Sequence, residues 1–277
     1  MVCFHPDEGY HGEGTDWKNG TVGTVPVCHY AFRFSLACDC STYQISIFAT
    51  DLDYPFMKKR KRKYKLLVRI PLLFIALSLA LVLLLRYVPV IYTPLMLKRT
   101  IENRKVETYE TRHTWVSLDK ISPQLAKAVV LTEDQKFYDH HGFDWDEIRK
   151  MRDDHMNKGT KLRGCSTISQ QTAKNVFSFG SRTGIRKVWE AYWTVLIELL
   201  WSKDRIMEVY LNVIEMGPGI YGAEAAAEHF FGCHANKLTR RQAVSIAICL
   251  PNPLKYNPTK LTTYQRNRCN ALLEQMQ

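Results

Sequence analysis

Two adjacent acids, Glu133 and Asp134, open the stretch of this 277-residue chain that is best suited to chemistry. Phe137, His140 and Gly142 follow them closely. A carboxylate can act as a general base when partial burial raises its pKa toward the working pH. Because neighbouring residues of a helix point in different directions, we expect Glu133 to take a proton, while Asp134 and His140 hydrogen-bond and hold the loop. For an isolated Glu-Asp pair, the alternative is a solvated helix face.

A polar string further along the chain offers hydroxyls and amides at the start of a predicted helix. Ser166 or Thr167 can cap that helix, and exposed N–H groups at a helix N-terminus favour an anion. Gln170 and Gln171 can supply hydrogen bonds to a sugar. A plain capped helix would explain Ser166 and Thr167 alone, but it would not explain the whole string.

A series of cations comes next: Lys174, Arg182, Arg186 and Lys187. Arginine and lysine bind phosphate groups through charge-assisted hydrogen bonds. Glu190 stands four residues after Arg186 on the same helix face, where it can orient the cations or help to place a divalent ion. The alternative is an ordinary surface ion pair, which stabilises little. Acids, amides and clustered cations in this order indicate sugar chemistry beside a phosphate.

These segments resemble the motifs of the family 51 glycosyltransferases, the peptidoglycan polymerases, and most of all those of its monofunctional members. The resemblance runs from Trp115 to Asn257, more than half of the chain, and it includes a glycine- and alanine-rich motif at Asn212–Phe231. Five motifs stand in order at plausible spacings, which makes chance a poor explanation. Cys165 occupies a position where the family pattern has a small residue such as glycine or alanine.

The resemblance implies a mainly α fold, with a lysozyme-like helical glycosyltransferase domain on a single N-terminal transmembrane helix. Members of the family polymerise lipid II, a disaccharide-pentapeptide on undecaprenyl pyrophosphate. Lipid II and the growing glycan strand are therefore the expected partners, together with the membrane and other cell-wall synthesis or division proteins. Glu133 and Glu190 are the catalytic candidates. The substrate-binding candidates are Asp134, Phe137, His140, Ser166, Thr167, Gln170, Gln171, Lys174, Arg182, Arg186 and Lys187.

The same resemblance predicts that no cofactor is required, and it leaves open a divalent cation, Mg or Mn, at the pyrophosphate. We assign no metal ligands from the sequence, and we expect no transpeptidase domain before Gln277. Two alternatives remain. A lysozyme-like hydrolase or lytic transglycosylase would also need a catalytic glutamate, but it would not need the cations. A membrane scaffold would not need both Glu133 and Glu190.

The distribution of charge predicts a membrane anchor. The formal net charge is +11, and excess positive charge favours polyanions or anionic membrane surfaces. A dense basic block, Lys58–Lys65, directly precedes the apolar run Ile70–Leu85. That placement is typical of the cytoplasmic flank of a membrane span and argues against a nucleic-acid partner. A cleaved signal peptide is the alternative, although no small-residue cleavage site follows the run.

The basic block should remain in the cytoplasm, so the chain after Tyr87 should lie outside it, at the bacterial inner membrane. We therefore divide the chain into an atypical extension (1–56), a basic cluster with the transmembrane anchor (57–92) and a glycosyltransferase domain (93–277). The extension shows no sustained helical or strand period. Our hypothesis is that Met57 is the natural start and that 1–56 is translated upstream sequence; the alternative is a native cytoplasmic tail.

Local signals predict several elements of the domain. The segment Thr114–Ser122 favours a short extended stretch, after which Ser122 and Pro123 begin a helix. Helices are also predicted at Ala223–Phe231, with Gly232 as a stop, and at Thr239–Leu250. Free buried thiols are the expected state of the four cysteines of the domain: Cys165, Cys233, Cys249 and Cys269.

Overall fold

The computed structural model describes residues 55–106, 109–159, 166–178 and 184–276. Almost all of the predicted N-terminal extension lies outside the described residues, as do Cys165 and Arg182.

Helices make up most of the described residues, which confirms the predicted mainly α fold. Ten α-helices occur there: α1 (Pro55–Tyr87), α2 (Pro94–Glu102), α3 (Pro123–Glu133), α4 (Trp145–Lys158), α5 (Ile168–Phe177), α6 (Gly184–Leu200), α7 (Lys203–Val213), α8 (Ala223–Phe231), α9 (Arg240–Cys249) and α10 (Thr263–Gln275). Three short strands form one sheet in the order β1 (Arg112–His113), β3 (Ile220–Tyr221), β2 (Glu215–Gly217). Strand β3 runs parallel to β1 and antiparallel to β2.

Helix α1 is long and apolar enough to cross a membrane. Its segment Leu67–Tyr87 has 21 residues and a mean hydropathy of 2.6, and at 1.5 Å per residue it spans about 31 Å, close to the thickness of a hydrocarbon core. Later residues hold its C-terminal half. Trp201 Nε1 donates to the Val82 carbonyl at 2.8 Å, and the Arg205 guanidinium donates to the Leu85 carbonyl at 2.7 Å. Helix α1 is thus joined to α7 and to the bend that precedes it.

The elements that carry the predicted site pack around α5. Helix α5 contacts α6 and α7, while α3 and α10 both pack against α9. Ile168 and Ala173 of α5 are fully buried in the core. Gln171 and Lys174 are only half-buried, and their three-residue spacing puts them on one side of the helix. The core therefore fixes α5 while leaving these two polar side chains accessible.

The prediction of an extended stretch over Thr114–Ser122 is wrong in its placement. Strand β1 precedes it, and a 3₁₀ turn occupies Leu118–Lys120 within it. The reason is a side-chain contact with α7: Asn212 Oδ1 accepts from the Val116 N–H at 2.9 Å, and Asn212 Nδ2 donates to the Val116 carbonyl at 2.8 Å. The side-chain amide of Asn212 thus makes the two backbone hydrogen bonds that a neighbouring strand would otherwise make.

The predicted start of α3 at Ser122 and Pro123 is confirmed, but the role of Ser122 is different. No side-chain cap hydrogen bond forms at the start of α3. The Ser122 hydroxyl donates instead to the Leu238 carbonyl at 3.1 Å. The serine therefore joins α3 to the segment before α9.

The glycine- and alanine-rich stretch packs tightly, as predicted. The three alanines at 225–227 are buried. Gly222 has a φ of +84°, and a Cβ there would lie 2.5 Å from the Asn212 carbonyl oxygen, so only glycine allows α7 and α8 to approach at this point. Helix α8 runs to Phe231 and ends at Gly232, and α9 is capped by Thr239, which confirms both predicted helices.

Three of the four cysteines of the domain are free thiols in the structure: Cys233, Cys249 and Cys269. Cys249 and Cys269 are buried and Cys233 is half-buried. The prediction of free thiols is confirmed for these three.

Candidate active site

The two adjacent acids separate because α3 ends between them. Glu133 is the last residue of the helix, and Asp134 leaves it with non-helical φ and ψ angles of −162° and 81°. Asp134 is buried, and one of its carboxylate oxygens accepts from the Ile168 N–H at 2.9 Å. Glu133 borders two clefts, and Asp134 lines one of them. Glu133 is therefore placed to meet a ligand, while the Asp134 carboxylate is engaged by the backbone at the start of α5.

The predicted pairing of Asp134 with His140 is present in the structure. His140 Nε2 lies 3.0 Å from both carboxylate oxygens of Asp134, and His140 Nδ1 accepts from the Gly142 N–H at 3.1 Å. Because Nδ1 accepts, the ring proton belongs on Nε2, which donates to Asp134. The Gly142 carbonyl in turn accepts from the Thr167 hydroxyl at 2.7 Å. This network fastens the loop after α3 to the start of α5.

Phe137 and His140 lie behind the clefts rather than along them. Phe137 is fully buried, and the Lys203 ammonium stands 4.6 Å from its ring centroid. Neither residue lines either of the two clefts. Their positions suit support of the loop, and direct contact with substrate stays a prediction.

The start of α5 is a capping box rather than an open anion site. The Thr167 hydroxyl accepts from the Gln170 N–H, and the Gln170 side chain accepts from the Thr167 N–H. The Ile168 amide is taken by Asp134. The expectation of exposed N–H groups for an anion is therefore wrong for these amides, because the protein supplies its own carboxylate.

The Glu133 carboxylate lies in a partly buried and polar environment. Gln171 Nε2 donates to Glu133 Oε2 at 2.9 Å. Burial raises the pKa of Glu133 above its ordinary value, and the nearby charge of Asp134 adds to the rise. The hydrogen bond from Gln171 and the positive charge of Arg268 act in the opposite direction. A raised pKa at a residue that lines two clefts suits a general base.

The larger cleft, the cationic cleft, has a volume of about 870 Å³ and joins α2, α3, α5, α6 and α10. Its charged lining residues are Arg99, Glu133, Lys174, Arg186, Lys187, Glu190, Glu215 and Arg268. Five of these eight side chains are cations. The surplus of positive charge favours a phosphate-bearing ligand.

Glu190 organises two of these cations. It is only 3% exposed, and its carboxylate oxygens lie 2.5 Å from Arg186 Nη1 and 3.3 Å from Lys187 Nζ. Lys187 Nζ also reaches the Ser166 hydroxyl at 3.3 Å. The predicted i,i+4 pair is thus present at the cleft wall, where the buried Glu190 carboxylate fixes the direction of two partly exposed cations.

Lys174 is a further cation of the same cleft, and it is half-buried. Burial lowers the pKa of Lys174, and the neighbouring positive charges of Arg186, Lys187 and Arg99 lower it further, against the opposing effect of Glu190. An anion bound beside Lys174 would relieve this repulsion.

A second cleft of about 440 Å³, the acidic cleft, is also lined by Glu133. Its charged lining residues are Glu133, Asp134, Lys136, Asp144, Glu147 and Lys150. Thr132, Glu133 and Ser166 border both clefts. The structure therefore brings the predicted base to the boundary between two binding spaces of different charge.

Sequence reasoning missed several residues of the cationic cleft. Arg99 comes from α2 and Arg268 from α10, and both lie beyond the stretch where the motifs were recognised. Glu215 pairs with Arg99 across 3.8 Å. Tyr210 is fully buried, and its hydroxyl contacts Gln171. A lone arginine gives no local signal, so only the packing of α2 and α10 reveals these contributions.

One group of histidine and carboxylate side chains within the described residues is compact enough to hold a metal ion: Glu224, Glu228 and His234. It does not line either of the two clefts. His234 Nδ1 lies 2.6 Å from Glu224 Oε1, and Glu224 Oε2 accepts from the Ala235 N–H. Among these residues, the pair joins α8 to the turn that follows it.

Comparison with known proteins identifies the family of this chain. The family model described as Transglycosylase matches residues 99–277, so the chain belongs to that family. The match extends beyond the predicted limits of Trp115 and Asn257 and includes both Arg99 and Arg268.

Several curated relatives share the name biosynthetic peptidoglycan transglycosylase. The one from Bacteroides thetaiotaomicron is 49% identical over 195 residues, which cover 70% of this chain and 78% of the relative. The one from Caulobacter vibrioides is 47% identical over 190 residues, covering 69% and 80% respectively. The one from Shewanella oneidensis is 52% identical over 167 residues, covering 60% and 71%.

Proposed function

We propose that this protein is a peptidoglycan glycosyltransferase, which polymerises lipid II into β-1,4-linked glycan strands and releases undecaprenyl pyrophosphate. Membership of the transglycosylase family and the names of the relatives support this reaction class. The observation that carries the proposal is the position of Glu133 at the boundary of two clefts, one of which is rich in cations.

Glu133 is the general base of the proposed reaction. A sugar hydroxyl is a weak nucleophile at neutral pH, so the acceptor needs a base more than the donor needs an acid. The Glu133 carboxylate takes the proton of the acceptor 4-hydroxyl, and that oxygen forms a bond to the anomeric carbon of the donor. The bond between this carbon and the pyrophosphate breaks on the opposite face, so α becomes β. Burial raises the pKa of Glu133, which makes it a better proton acceptor.

The cationic cleft holds the donor pyrophosphate. The leaving group carries its own negative charge, and its departure is stabilised by cations fixed in place before the reaction. Lys174 and Arg186 are the proposed direct contacts with the pyrophosphate. Glu190 holds Arg186 and Lys187 in position beside it. No cofactor is required in this scheme, because the side chains supply the positive charge; a Mg or Mn ion beside Glu190 is the open alternative.

The acidic cleft receives the acceptor, which is the second lipid II or the glycan strand. It shares Ser166 and Glu133 with the cationic cleft, so both substrates meet at the base. Gln170 and Gln171 stand on the cationic side, where their amides can bind sugar hydroxyls. Other cell-wall synthesis or division proteins are proposed as partners on the strength of the reaction alone.

Purified full-length protein is expected to convert labelled lipid II into polymer in detergent or lipid vesicles. The products are separated by size, and digestion with a muramidase should return the polymer to disaccharide units. Cleavage of preformed glycan strands without polymerisation would contradict the proposal and would favour the hydrolase alternative.

We also propose that α1 crosses the bacterial inner membrane, with the catalytic unit outside the cytoplasm. The candidate span Leu67–Tyr87 follows the basic block Lys58–Lys65 directly, and basic flanks remain on the cytoplasmic side. A reporter that matures only in an oxidising compartment, fused after Gln277, is expected to be active. Activity confined to a reporter that works only in the cytoplasm would reverse the proposed orientation.

A further inference from the structure

Tyr210 is a buried tyrosine of α7 that reaches toward the site from within the core. Its side chain is fully buried, and its hydroxyl lies 3.3 Å from Oε1 of Gln171. Burying a hydroxyl without a hydrogen-bond partner is costly. Gln171 supplies that partner, so the tyrosine and the glutamine are coupled through one contact.

Gln171 connects Tyr210 to Glu133. Its Oε1 accepts from the tyrosine hydroxyl, and its Nε2 donates to Glu133 Oε2 at 2.9 Å. A carboxylate can only accept hydrogen bonds, whereas a carboxylic acid can also donate one. Gln171 therefore turns its N–H donor toward Glu133, and a donor matches the ionised carboxylate. In the reversed orientation the buried Tyr210 O–H would face an N–H group and lose its acceptor, which disfavours that orientation.

We propose that Tyr210 is a positioning residue for the base: it sets the orientation of the Gln171 amide, and through that amide it keeps the Glu133 carboxylate ionised at the working pH. This inference rests on the proposed function, because it takes Glu133 as the general base.

The charges around the two ends of this chain of contacts are consistent with the proposal. Burial raises the pKa of Tyr210 well above its ordinary value, with smaller contributions from Glu133 and Asp134, so its hydroxyl remains a donor. At Glu133, burial raises the pKa, and the charge of Asp134 adds to the rise. The Gln171 hydrogen bond and the charge of Arg268, on α10, lower it.

Among the neighbours of Glu133, Gln171 opposes the rise in the Glu133 pKa most strongly, through its hydrogen bond. Helix α9 packs against α3, and the buried residues of α9 are apolar apart from Ser245 and Cys249. The other charged residues that line the cationic cleft with Glu133 are Arg99, Lys174, Arg186, Lys187, Glu190, Glu215 and Arg268. Of the groups that lower the pKa of Glu133, the hydrogen bond from Gln171 is the largest, ahead of Arg268. Loss of that bond should therefore be visible in the titration of the base.

Tyr210→Phe removes the hydroxyl that holds Oε1. Among the described residues, the long 3.4 Å contact of Nε2 with the Ser166 carbonyl then remains to oppose a turn of the Gln171 amide. With its carbonyl toward Glu133, the amide would accept from the protonated acid, and the pKa of Glu133 would rise further. Since the base works only when ionised, the rate falls as the pH drops through that pKa. The acidic limb of the kcat profile is expected to move to higher pH by about 0.5–1 pH unit, with most of the rate recovered on the alkaline side.

The matched control is Tyr192→Phe in α6. The Tyr192 hydroxyl is also buried and has no hydrogen-bond partner among the described residues, and it does not line either of the two clefts. The control loses the same atom, so its acidic limb should coincide with that of the wild type. Both variants are assayed with labelled lipid II at saturating concentration across the pH range.

Combining Tyr210→Phe with Gln171→Met tests the route of the effect. The single Gln171→Met variant keeps the side-chain volume, and its acidic limb should also move to higher pH by a similar amount. This test does not depend on whether Tyr210→Phe folds. In the double variant, Tyr210→Phe should add no further shift, because residues of one network are not additive. A wild-type profile in Gln171→Met or Tyr210→Phe, or additive shifts, would overturn the proposal. Wild-type protein that makes no polymer would count against the proposed function instead.

Discussion

Replacing Glu133 by glutamine is expected to reduce the rate of lipid II polymerisation by about 10²–10⁴-fold, the usual contribution of a general base. Glutamine has the same shape as glutamate, and its carbonyl oxygen can keep the hydrogen bond from Gln171 that now measures 2.9 Å. The variant therefore keeps the end of α3 and loses only the ability to accept a proton. The measurement is the initial rate of polymer formation at fixed enzyme concentration, with thermal unfolding as a check on the fold.

Glu228→Gln provides the matched control for this experiment. Glu228 is an exposed residue of α8 whose carboxylate lies 3.9 Å from His234 Nδ1, and it does not line either of the two clefts. Its variant should polymerise at the wild-type rate. If Glu133→Gln also did so, the base would have to be Asp134 or Glu190. Both are buried and hydrogen-bonded or ion-paired, so such a result would require a rearrangement of the site.

Local sequence signals were sufficient for the parts of the site that are local in structure. Helix α3 ends at Glu133 and the chain turns back within six residues to bring His140 to Asp134. The Arg186–Glu190 pair follows from one helical turn of α6. The Thr167 cap follows from its position before an amphipathic run. In each case, the atoms that interact are separated by a few residues, so composition and spacing carry the information.

Distant contacts were beyond the reach of the same reasoning. The Ile168 N–H donates to the carboxylate of Asp134, which is 34 residues earlier in the chain. The Val116 N–H donates to the side chain of Asn212, which is 96 residues later. Tyr210 looks like an ordinary apolar position of α7, because its helical spacing is that of a core residue. Its contact with Gln171 exists only because α5 and α7 pack together. Tertiary packing, rather than any sequence motif, decides which polar atoms satisfy one another.

Lys174→Ala is expected to lower kcat/KM for lipid II by about 10- to 100-fold, the effect of one charge-assisted hydrogen bond to a phosphate. Lys174 is half-buried on the wall of the cationic cleft. Burial lowers its pKa, and the positive charges of Arg186 and Lys187 lower it further. A bound pyrophosphate would compensate this positive charge. The loss should therefore appear mainly in the handling of the donor, and initial rates across a range of lipid II concentrations will measure it.

The lowered pKa of Lys174 also predicts the direction in which donor affinity changes with pH. Only the protonated amine attracts a pyrophosphate, so donor affinity should be constant below that pKa and should fall as the pH rises through it. Lys174→Arg retains a charge that does not titrate in this range, and its affinity should persist at higher pH than that of the wild type. Lys237→Ala, an exposed lysine outside both clefts, is the control. Wild-type donor affinity in Lys174→Ala would remove this residue from the pyrophosphate site and leave Arg186, Lys187, Arg99 and Arg268 to hold the leaving group.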